Sequence, residues 1–143
     1  MAAGDFSQTE ARVSLVLKSA EITADEMAEK LSTKASHTLA IGDRLGFSHI
    51  TAKVHSWSIR SEWFSPSEYD LDNRTNSLLE QLMVCEASLR EMTSGGRVQA
   101  YVQFDIHIVG EDQFPFTLRP QTLEKVVRIG ASIDLDIYSV SKS

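Results

Sequence analysis

Pro120-Gln-Thr-Leu-Glu-Lys-Val-Val-Arg-Ile-Gly130, followed at once by Ala131-Ser-Ile-Asp-Leu-Asp-Ile-Tyr138, decides the fold of this chain. Proline lacks the N–H that the first helical turn leaves unused, so Pro120 opens a helix. Gly130 tolerates the left-handed backbone that closes one. Residues Ala131 to Tyr138 then alternate apolar and polar, the period of a strand. A helix delivered straight into a strand has to lay one apolar face against a common core, so the tail is expected to be interior structure.

Working backwards, Arg97 to Val109 is the most regular strand. Val98, Ala100, Val102, Phe104, Ile106 and Ile108 alternate with Gln99, Tyr101, Gln103, Asp105 and His107. That pattern predicts one buried face and one wet face. Ahead of it, Leu71, Leu78, Leu82, Cys85, Leu89 and Met92 keep to one helical stripe, stopped by Gly95-Gly96, which predicts one long helix. Thr51 to Ser61 reads as a strand ended by Ser65-Pro66-Ser67. Near the front, Arg12 to Lys18 alternates as a strand. Thr23 and Glu26 then form a capping box, with Ile22 and Met27 as its hydrophobic staple, and the helix runs to Leu31. Residues 34–50 follow neither period and read as a short strand in a long loop; 114–118 reads as another short strand.

Helices interspersed with alternating strands predict an α+β fold: a mainly antiparallel sheet with helices packed on one face, a ferredoxin-like two-layer sandwich. The expected organisation is a flexible N-terminal arm over 1–10 and a single domain over 11–143. A length of 143 residues with 42% hydrophobic and 24% charged positions suits one globular unit. No apolar run approaches the ~20 residues of a membrane span, and no secretory signal is visible. A lone cysteine, Cys85, forbids an internal disulfide and agrees with a reducing, cytoplasmic setting. The net charge of −6 argues against nucleic acid and would attract a basic partner.

Leu118-Arg-Pro-Gln-Thr-Leu123, Ile129-Gly130 and Ile133-Asp-Leu-Asp-Ile-Tyr138 together resemble the closing signature of the bacterial domain of unknown function 4279 family. Ile22-Thr-Ala-Asp-Glu-Met27, Gly42-Asp43 and Trp57-Ser58 are similar to that family in the same order. The resemblance implies an architecture and a small bacterial intracellular domain. It transfers no catalytic residue, because the family has no established activity.

The polar side of the sheet is the surface left for binding. Tyr101, Asp105 and His107 on one strand are expected to share a face with Asp134, Asp136 and Tyr138 on the last. Carboxylates and an imidazole so placed could converge on a divalent cation; the plainer expectation is a solvated sheet face. Trp63 and Phe64, just before Pro66, are either partner anchors or the closure of one end of the core. Cys85 lies on the apolar stripe and reads as a core thiol, while His37, His49, His55 and His107 show no metal-ligand spacing. There is no GxSxG and no glycine-rich phosphate cradle. The functional expectation is a non-enzymatic protein-binding module, with an immunity-type inhibitor of a toxin or enzyme as its concrete form. The alternative is a small-ligand or divalent-metal-binding domain on the polar face. Self-association through that face or a strand edge is a third possibility. No cofactor is expected.

Overall fold

A computed structural model describes residues 8–140 except 66 and 68, so residues 1–7 of the arm anticipated over 1–10 and the proline of the Ser65–Ser67 stop lie outside the described residues. The elements run β1 (Glu10–Ser19), α1 (Ala24–Leu31), β2 (His37–Leu39), β3 (His55–Arg60), α2 (Asp70–Leu82), a 3-10 turn (Met83–Cys85), α3 (Glu86–Ser94), β4 (Gln99–Val109), α4 (Pro120–Arg128) and β5 (Ala131–Val140). The strands form one sheet in the order β2-β3-β1-β4-β5. All pairs are antiparallel except β4 with β5, which α4 connects as a parallel crossover. This is the α+β architecture that the alternating pattern predicts.

One face of the sheet carries the core. Val13, Leu15 and Leu17 of β1 meet Trp57 and Ile59 on one side and Ala100, Val102 and Phe104 on the other. Leu71, Leu78, Leu79 and Leu82 of α2, Met27 and Leu31 of α1, and Val126 of α4 close over them. The capping box forms as read: Glu26 N–H donates to Thr23 Oγ1 at 3.2 Å, and Thr23 N–H donates to Glu26 Oε1 at 3.4 Å. Such a cap is worth about 1 kcal/mol.

Five expectations change. The single long helix is broken between Leu82 and Glu86 by a 3-10 turn, although no glycine or proline falls there. The tighter turn leaves Val84 exposed, keeps Cys85 buried, and redirects α3 so that it reaches α1. Residues 114–118 form no strand; Phe116 instead sets its ring edge-on to Phe104 at 5.1 Å. Thr9 and Glu10 belong to the body rather than to an arm. Thr9 is buried and its hydroxyl accepts from Val109 N–H at 3.0 Å, while Glu10 opens β1.

The largest change concerns the tail. β5 is the outermost strand, and its residues 132–139 are all exposed. Alternation arises here from an edge strand whose apolar side is only partly roofed, not from interior structure. The loop after β2 is the other surprise. It folds back as a small hairpin, with Leu45 N–H donating to the Ile50 carbonyl at 2.9 Å and Ala52 N–H to Asp43 at 2.7 Å. Ile41, Leu45, Phe47 and Ile50 are exposed on it, Phe47 at 91%.

Candidate functional site

The face of the sheet opposite the described helices gathers most of the sequence-predicted site. The parallel register places Tyr101 beside Ser132, Gln103 beside Asp134, Asp105 beside Asp136, and His107 beside Tyr138. The two strands therefore do share the face, as their alternation requires. Asp134, Asp136 and Tyr138 are exposed, while Tyr101, Asp105 and His107 are half-buried beneath their neighbours.

Trp63 joins them from the segment after β3. Its ring meets His107 edge-on with centroids 4.8 Å apart, and His107 in turn lies 5.1 Å from the Tyr138 ring. An aromatic row thus crosses from the middle of the sheet to its edge. Phe64 does not belong to it. Its side chain is buried in the core cluster, with the Arg74 guanidinium 4.9 Å above its ring. Adjacent residues of an extended segment point to opposite faces, so of the Trp63-Phe64 pair only Trp63 can serve a partner surface. Phe64 is withdrawn from the site.

The structure adds a residue that sequence reasoning missed. Arg12 on β1 is the cross-strand neighbour of Asp105. Its Nη2 lies 3.2 Å from Asp105 Oδ2, and its guanidinium sits 4.7 Å from the Trp63 centroid. Nothing local in Arg12-Val-Ser announces this, because the contact depends on strand order. Further along, Gln103 Nε2 donates to Asp136 Oδ2 at 2.8 Å, and Lys18 lies 5.2 Å from the Tyr101 ring.

Charge is consequently sorted across the face. Arg12 and Arg60 stand toward its centre, and Asp134 and Asp136 toward the β5 edge. Burial holds the His107 imidazole below the usual histidine range; Asp105 pulls it back up, and Arg12 pushes it further down. His37 is lowered in the same way, by burial first and then by Arg60 and Arg12. The Arg60 guanidinium is itself lowered by burial and by Arg12.

This arrangement does not assemble the divalent-cation site. Among the described residues no group of three or more His, Cys, Asp or Glu side chains is placed to hold a metal. Asp105 faces a guanidinium and Asp136 an amide donor, both of which occupy carboxylate lone pairs that a cation would need. Cys85 is buried, its Sγ donates to the Leu82 carbonyl at 3.2 Å, and burial raises its thiol above the usual range. That is the setting of an unreactive core thiol. The face offers flat aromatic area flanked by fixed charges.

On the other side of β3, a groove of about 560 Å³ runs between β3 and α2, lined by Lys34, Ser36, Arg60, Arg74, Ser77 and Gln81. No helix among the described residues is long and apolar enough to cross a membrane. No curated protein and no solved structure matches the chain. A family model described as Domain of unknown function (DUF4279) matches residues 9–140, from the start of β1 to the end of β5, and the chain belongs to that family.

Proposed function

We propose that the protein is a non-enzymatic protein-binding module of the bacterial cytoplasm, with an immunity-type inhibitor that masks a basic toxin or enzyme surface as its concrete form. The observation that supports this reading is the Trp63–His107–Tyr138 row on a sheet face that no helix among the described residues covers, bordered by Asp134 and Asp136. Aromatic rings bury much area at small entropic cost, and carboxylates at the rim speed the encounter with a cationic surface. The net charge of −6 acts in the same direction at longer range.

The test is affinity capture from the native lysate with the wild-type chain and with Trp63→Ala, at low and high salt. A basic protein should be retained by the wild type, released as salt rises, and bound roughly 30-fold more weakly by Trp63→Ala, the scale of an interface anchor. Equal retention by both chains would remove the aromatic row from the interface. Retention that grows with salt would refute the electrostatic part.

A further inference from the structure

The two edges of the sheet are built differently. β2 ends one side as a three-residue strand, short enough to offer little backbone to a neighbour. β5 ends the other with ten residues paired one-for-one to β4, without a bulge, a proline or a lysine. Among the described residues its far side meets no strand. Ile133, Leu135 and Ile137 lie on the helix side of the sheet, beside Val102, Phe104 and Ile106, which are buried. Yet their own exposures are 38%, 48% and 59%. Leu123 and Val127, one turn apart on α4, and Phe116 before it are exposed as well. A long, regular apolar edge of this kind is what a monomer avoids.

The geometry points to a second copy of this chain as the occupant, joined edge to edge through β5 into one continuous ten-stranded sheet. A two-fold axis perpendicular to the sheet makes the two β5 strands antiparallel and keeps both sets of helices on the same side. Apolar stripe then meets apolar stripe, and polar face meets polar face. With the axis at Asp136, Leu135 faces Ile137 and Asp134 faces Tyr138, each twice. Asp136 facing itself is then the single directly opposed pair of like charges. Near-full-length pairing covers about 30 Å along the strand and about 20 Å across the two layers. That is on the order of 600 Å² per copy, at the lower bound of stable interfaces before the α4 side chains are added. The aromatic row and the cations of the wet face stay open in such a dimer, so this inference stands whether or not a basic partner exists.

Sedimentation equilibrium of the full chain across roughly 1–200 µM is the test, with circular dichroism to confirm that each variant folds. The wild-type mass should rise toward twice 15.9 kDa. Leu135→Lys and Ile137→Lys, at exposed positions, should each weaken self-association by at least ~30-fold. Phe47→Ser, on the hairpin that follows the opposite edge strand, should leave it unchanged. Asp136→Asn should tighten the dimer about threefold by removing the like-charge pair, and added salt should do the same. A wild-type mass that stays at 15.9 kDa throughout, undiminished association in the lysine variants, or weaker association on Asp136→Asn would each overturn the proposal.

Discussion

Gly130→Ala should destabilise the fold through two separable effects. Gly130 has φ of +72°, where a side chain costs roughly 1–2 kcal/mol. A methyl group there would also lie 2.7 Å from Thr93 Oγ1 and 3.3 Å from Thr93 Cβ. That hydroxyl cannot swing aside freely, because it donates to the Leu89 carbonyl at 2.9 Å and reaches the Ile129 carbonyl at 3.2 Å. Displacing it loses about 1 kcal/mol of hydrogen bonding, while the stiffer unfolded chain returns roughly 0.4–1 kcal/mol. The net expectation is a loss of about 2 kcal/mol, a substantial part of the ~5–15 kcal/mol that holds a domain folded. Urea unfolding of the four chains of a double-mutant cycle with Thr93→Ala measures it. In the Thr93→Ala background the cost of Gly130→Ala should fall to roughly 1 kcal/mol, since the hydroxyl clash is gone and the backbone strain and the 3.3 Å approach to the retained Cβ remain. An equal cost in both backgrounds, or a loss below about 0.5 kcal/mol in the wild type, would refute the close-approach argument.

Two more perturbations test how the site is held. Asp72, buried on α2, accepts from Arg119 N–H at 2.8 Å and pairs with Arg119 Nε at 3.4 Å, so it anchors the start of α4 where Arg119 offers no side-chain cap of its own. Asp72→Ala should cost about 2–3 kcal/mol in denaturant melts, against near-neutrality for exposed Asp25→Ala. For pH, the folded imidazoles of His37 and His107 sit below the ordinary value, so the unfolded chain binds more protons. Stability from these groups is therefore complete above about pH 6.5 and is lost as pH falls through their lower folded values. Melting temperature should drop between pH 7.5 and pH 5, and His107→Gln should flatten that slope; an unchanged slope removes His107 as a contributor.

Local periodicity and helix punctuation were enough to place α1, β1, β4, α4 and β5, because each depends on neighbours within a turn or on every second residue. Thr23 with Glu26, and Pro120 with Gly130, act within a few residues, so their structural consequence is written in adjacent positions. The hairpin over 40–52 defeated that reading for a physical reason: its apolar residues face water, so no buried side imposed a period on them. The break at Met83–Cys85 was equally hidden, since the spacing of Leu78, Leu82, Cys85 and Leu89 is compatible with one straight helix until α3 has to reach α1.

By itself the sequence determined the layer type and which residues of β4 and of β5 lie opposite the apolar side of their own strand, because side-chain direction along a strand follows from parity alone. Only the tertiary structure decided which strand lies outermost, that Arg12 stands against Asp105 and Trp63, that Phe64 turns inward, and that Ile133, Leu135 and Ile137 are left partly bare. Those facts depend on strand order and helix placement. They are set by which surfaces bury the most apolar area together, and no single stretch of chain carries that information.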